Sequence, residues 1–119
     1  MSTDRWRRID FAKLVEALST LSMRKAAGLK YSTTQIPPSI KNVAGNITDR
    51  VADKLRHDDD GIIRCKICGR GPFTRRGFHL HLQRVHIDVV YSLVREELEY
   101  YIWRVRNIPG YGREQSKEK

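Results

Sequence analysis

The stretch Ile63-Arg64-Cys65-Lys66-Ile67-Cys68-Gly69-Arg70-Gly71-Pro72-Phe73-Thr74-Arg75-Arg76-Gly77-Phe78-His79-Leu80-His81-Leu82-Gln83-Arg84-Val85-His86 holds both cysteines of the chain and three of its four histidines. Two residues separate Cys65 from Cys68, twelve separate Cys68 from His81, and four separate His81 from His86. This is the spacing of a tetrahedral metal site. Two thiolates on one tight turn and two imidazoles about a helical turn apart can converge on a single ion, and sulfur with imidazole favours Zn2+ over Mg2+ or Ca2+. A segment of roughly 25 residues buries too little apolar surface to fold unaided, so metal binding is expected to supply its folding free energy.

Two cysteines in one Cys-x-x-Cys within a His-rich segment point to metal rather than to a disulfide. His79 is an extra histidine beside the pair. As a ligand it would stand seven residues from His86, nearly two turns, and would leave a short loop after Cys68. A solvent-facing or phosphate-contacting side chain is the preferred reading.

On these residues the stretch resembles the Cys2His2 zinc-finger family. Ile63 matches the family's apolar residue two before the first cysteine, and Gly69 the residue after the second. Phe78 takes the place usually held by Leu three before the first histidine. The resemblance implies one structural Zn2+ on Cys65, Cys68, His81 and His86, and a ββα fold whose helix ends in the histidine pair. Two departures matter. The family's aromatic core residue would fall at Pro72, whereas the aromatic here is Phe73, so the fingertip turn is altered. The positions that read bases in the family fall on Thr74, Arg76, Gly77 and Leu80, and of these Arg76 alone suits a bidentate guanine contact.

Working outward, the finger carries six basic side chains and no acidic one, Arg64, Lys66, Arg70, Arg75, Arg76 and Arg84. Residues 1–31 carry seven basic and three acidic side chains, with a cluster at Arg5, Arg7 and Arg8 around Trp6. Residues 32–60 and 87–119 are close to neutral, so the net charge of +9 is concentrated in two zones. Such concentration suits nucleic acid, whose phosphates are contacted by cations that fix position without reading sequence. The predicted contact set is Arg64, Lys66, Arg70, Thr74, Arg75, Arg76, His79 and Arg84, with Arg5, Arg7 and Arg8. The competing reading is a zinc knob whose charge serves only solubility.

The flanks read as helices. Phe11, Leu14, Val15, Leu18 and Leu21 keep three- and four-residue spacings behind Asp10, a candidate N-cap. Gly28, the polar run Ser32 to Gln35 and Pro37-Pro38 mark a connector. From Pro38 onward Ile40, Val43, Ala44, Ile47, Val51 and Leu55 again keep helical spacing, interrupted by Gly45-Asn46. This is one helix weakened by Gly45, or two short helices that with the first would make a helix-turn-helix. Asp58-Asp59-Asp60-Gly61 reads as a solvated acidic turn. After His86, the residues Ile87, Tyr91, Val94, Leu98, Tyr101 and Val105 form an apolar seam on a long helix. That seam either packs on the N-terminal helices or joins two copies into a homodimer.

The expectation is therefore a mainly α protein with one small ββα zinc finger. An N-terminal helical region spans 1–57 and an acidic linker 58–62, followed by the finger at 63–86, a C-terminal helix at 87–108 and a flexible tail at 109–119. A chain of 119 residues excludes a large two-domain enzyme. Four protein donors leave no open metal position for an activated water, and no nucleophile motif, phosphate loop or carboxylate pair stands elsewhere. No apolar run approaches a membrane span or resembles a signal peptide, which predicts a soluble, cytoplasmic protein. Small single-finger proteins of hyperthermophilic archaea and their viruses or plasmids are similar, and that likeness implies a DNA-binding transcriptional regulator. Structured RNA, including a ribosomal site, is the alternative partner, and a protein-interaction module with a structural zinc is a third.

Overall fold

The structure, a computed structural model, describes residues 11–107. In chain order these form helix α1 (Phe11–Ala27), a single 3-10 turn (Pro38–Ile40), helix α2 (Lys41–Leu55), strands β1 (Arg56–Asp59) and β2 (Ile62–Cys65), helix α3 (Arg75–Val85) and helix α4 (Ile87–Asn107). The fold is mainly helical with one small antiparallel sheet. The expectations placed on Arg5, Trp6, Arg7, Arg8, Asp10 and the 109–119 tail lie outside the described residues.

Helix α1 is central, packed against α2, α3 and α4. Its Val15, Leu18 and Leu21 are buried as their spacing predicts, while Phe11 at the start is exposed. Toward the C-terminal end burial extends around the helix through Ser19, Ser22, Met23, Ala26 and Ala27, mostly small residues that let neighbouring elements approach closely. The buried Ser22 hydroxyl donates to Leu18 O at 2.8 Å, so its burial leaves no unpaired donor. The helix ends in a Schellman motif, with Gly28 N donating to Lys25 O and Leu29 N to Arg24 O, at 3.0 and 2.9 Å.

Helix α2 is continuous. Gly45 faces open space, so nothing there forces a break. Its propensity cost of about 1 kcal/mol is outweighed by burial of Ala44, Ile47, Val51 and Leu55, where a fully buried Leu, Ile or Val contributes roughly 1.5–3 kcal/mol. This removes the turn that a helix-turn-helix within residues 9–56 required.

The segment expected as an acidic linker is instead half of a hairpin. β1 follows α2 without an intervening loop and pairs antiparallel with β2 in the register Arg56↔Cys65 and Asp58↔Ile63. The two-residue connection is Asp60-Gly61, with φ of 56° and 81°. Left-handed φ at both central positions is the hairpin turn that Asp-Gly favours, and its twist matches that of the strands. No separate finger domain results. Ile63, Cys65, Phe78 and Leu82 belong to the same buried cluster as Leu18, Val51 and Leu55. Lys66 N donates to Leu55 O at 2.9 Å, and Arg56 Nη1 donates to Ala26 O at 3.2 Å across the end of α1.

Helix α4 buries Val90, Val94 and Leu98 against α1 and α2. The buried line passes through Val90, with Ile87, Tyr91, Tyr101 and Val105 only half-buried beside it. The centre of the apolar seam, Val94 and Leu98, is thus spent inside the chain, while its remaining members keep part of their surface exposed. Glu97 on this helix accepts from Lys54 at 3.3 Å and lies 3.5 Å from Arg50, tying α4 to α2. Lys25 and Asp49 form an ion pair between α1 and α2. No helix among the described residues is long and apolar enough to cross a membrane.

Candidate metal centre and cationic face

Four elements deliver the site. β2 ends at Cys65, after which the chain closes a tight loop in which Cys65 N donates to Arg70 O and Gly69 N to Cys65 O, both at 2.8 Å. Cys68 lies within that loop. The chain then returns alongside β2, with Phe73 N donating to Ile63 O at 2.9 Å and a single bridge joining Ile63 to Phe73. The return is close at Gly71, where an added Cβ would stand 2.9 Å from Ile63 O at a φ of 149°. Thr74 then caps α3, its hydroxyl oxygen accepting from Gly77 N at 3.0 Å.

Helix α3 turns Phe78 and Leu82 into the core, which places His81 on the side facing the cysteines. His86 caps the C-terminal end of α3, with its N–H on Leu82 O, and its own carbonyl accepts from Val90 N of α4 at 3.0 Å. One residue therefore ends one helix and starts the next. The ligand atoms of Cys65, Cys68, His81 and His86 all lie within 4.8 Å of one another. Cys68 Sγ stands 3.4 Å from His81 Nε2, and the two imidazoles meet edge to face at a centroid distance of 4.8 Å.

This donor set fits a metal ion. A tetrahedral ion with bonds of about 2.0–2.3 Å holds its donors roughly 3.3–3.8 Å apart, so the four stand within about 1 Å of a closed shell. His86 Nε2 is buried and has no hydrogen-bond partner, a cost that a bound cation removes. Burial, followed by the charge of Arg70, holds the His86 pKa below its usual value; for His81 burial leads, followed by His86 and Arg70. Both imidazoles are thus favoured in the neutral form that ligates metal. Burial pushes the Cys65 thiol up, so ligation there must displace a proton. Cys65 and His86 are buried, His81 is half-buried and Cys68 is exposed.

Phe73 does what the altered fingertip left open. Its ring stacks on His81 at 4.7 Å and contacts Phe78 at 5.6 Å, so the aromatic displaced from position 72 still fills the space under the ligands. Nothing in the spacing singled out this support for the His81 ring.

The predicted contact residues divide into groups. Arg76 and Arg84 are exposed on α3, on one face with Leu80 and Gln83. Arg70 is exposed beside His81 and His86. Lys66 is exposed but its Nζ donates to Asp53 O at 2.8 Å, and Arg75 folds back over Gly28 at the end of α1. Arg64 is half-buried in β2, and the Thr74 hydroxyl is occupied as an N-cap. His79 is turned inward: its Nε2 is buried without a partner, and burial followed by the charge of Arg24 lowers its pKa. It belongs neither to the metal cluster nor to the exposed face, because α3 packs that side against α1. Comparison of the chain with protein-family models, with curated proteins and with solved structures gives no match.

Proposed function

We propose that Cys65, Cys68, His81 and His86 hold one structural Zn2+ in a ββα-type finger whose second strand is reduced to the Ile63–Phe73 bridge, and that the face of α3 it presents binds nucleic acid, with DNA as the partner and transcriptional regulation as the role. The observation that carries this reading is the unmatched charge. Among the described residues, none of Arg64, Lys66, Arg70, Arg75, Arg76 and Arg84 is within an ion pair's reach of a carboxylate.

Zinc closes the loop onto the helix and supplies folding free energy. The chain's own residues make the contact. Arg76 offers a planar fork to phosphate or to guanine O6 and N7, Arg84 and Arg70 offer phosphate contacts, and Leu80 offers only apolar contact to a thymine methyl. Position is thereby fixed more firmly than sequence is read. All four donors come from protein, which leaves the ion a binding role and not a catalytic one.

The test is a titration of the zinc-loaded chain against duplex DNA, single-stranded DNA and hairpin RNA of equal length over a range of salt. Duplex binding should fall steeply with salt, and Arg76→Gln with Arg84→Gln should flatten the log–log slope by about 1.8, close to 0.9 for each phosphate no longer neutralised. Preference for the hairpin would transfer the role to structured RNA. Binding indifferent to salt, or none, would sink the phosphate reading in favour of a protein partner.

A further inference from the structure

Far from the metal cluster, a groove of about 220 Å3 opens between α2 and the C-terminal half of α4. Its floor is apolar at Ile47, and Arg50 and Arg104 stand on its two sides. Its one carboxylate, Glu97, is only 15% exposed and is already neutralised by Arg50 and Lys54, so the lining is net cationic. Tyr100 and Trp103 leave 52% and 59% of their surface to solvent and stack on each other at 6.2 Å, 20° from parallel. The Arg104 guanidinium lies 5.9 Å from the centre of the Tyr100 ring.

Exposed stacked aromatics joined to a cation are the composition of a platform for unpaired bases, where π-faces take the base and arginine takes the phosphate. Asn46 on the groove wall adds an amide donor and a carbonyl acceptor, suited to the polar edge of a base. The volume is below the roughly 300 Å3 at which pockets for drug-sized ligands begin, which leaves room for a single base with its sugar and phosphate outside and none for a folded motif. A basic peptide would need a carboxylate to pair with, and Glu97 is already engaged by Arg50 and Lys54.

We propose that this groove is a second nucleic-acid contact, holding one unpaired nucleotide with its base against Tyr100 and its phosphate between Arg104 and Arg50. The inference rests on the nucleic-acid reading of the finger and extends it. Tyr100 lies about 21 Å along α4 from His86, a distance covered by about six nucleotides at ~3.4 Å each. Finger and groove can then lie on one strand that leaves a duplex.

The experiment uses the full zinc-loaded chain and a labelled thymidylate dodecamer, with an abasic dodecamer of equal charge as control. The thymidylate should bind at least fivefold more tightly than the abasic strand. Tyr100→Ala should remove that difference and leave abasic and duplex binding unchanged, and Tyr100→Phe should retain it. Arg104→Gln should weaken both single strands. Equal binding of the two strands by the unaltered chain, or a Tyr100→Ala chain that still prefers thymidylate, overturns the groove proposal. A drop in duplex binding in the Arg76→Gln, Arg84→Gln chain would still stand in that case, so failure of the groove and failure of the finger face are told apart.

Discussion

Replacing Phe78 by alanine asks whether the finger and the helical body are one folding unit. Phe78 is fully buried, touches Phe73 and His81 on the metal side, and belongs to the cluster that also contains Leu18, Val51 and Leu55. Truncating a buried Phe to Ala costs about 3–5 kcal/mol, since transfer free energy is forfeited and a cavity is left. A domain of this size is stable by only about 5–15 kcal/mol. At about 4–8 °C per kcal/mol, the melting temperature should fall by roughly 12–40 °C. The assay is urea unfolding of the zinc-loaded chain, followed both by far-ultraviolet dichroism, which reports mainly the helices, and by zinc release. Both signals should move together to lower urea with an unchanged slope. Zinc release that shifts while the helical transition stays in place would refute the shared core and restore a separable finger.

Two further outcomes follow from the same geometry. Cys68→Ser should reduce zinc stoichiometry from one per chain to near zero and lower the helical melting temperature as well, measured by metal analysis and calorimetry; retained zinc would end the ligand assignment. On pH, burial lowers the folded-state pKa of His79, His81 and His86 from 6.5. The folded apo chain then binds fewer protons than the unfolded chain below that value. Stability from these groups is complete above about pH 6.5 and is lost as pH falls through the lowered pKa values. Metal-free unfolding free energy measured from about pH 8 to pH 5 should be flat and then decline, and a rise on acidification would contradict the inward placement of these rings.

The sequence made the candidate metal cluster legible because ligand chemistry restricts residue type and spacing together. All four expected residues, Cys65, Cys68, His81 and His86, converge. The helices were legible through periodicity, with errors of rotation where a helix is buried on more than one side. Val90 escaped notice beside Tyr91 because spacing alone does not decide which of two adjacent apolar residues faces the core. Strand β1 was hidden by its charge. Asp58 on an exposed two-stranded hairpin can carry charge without penalty, and the informative signal was the Asp60-Gly61 turn rather than the acidic run. His79 illustrates the converse: a polar residue on a basic helix reads as surface until another helix, here α1, is known to cover it.

The junction at His86 has a mechanical meaning. Helix α4 runs 21 residues from that point, a rod of about 31 Å at ~1.5 Å per residue. A change of about 10° in its direction at the root would therefore carry the far end through about 5 Å. Because His86 is at once a candidate metal donor and the residue from which the rod starts, the packing of Val90, Val94 and Leu98 and the Glu97 ion pairs are what hold the far end, with Tyr100 and Arg104, in a fixed direction.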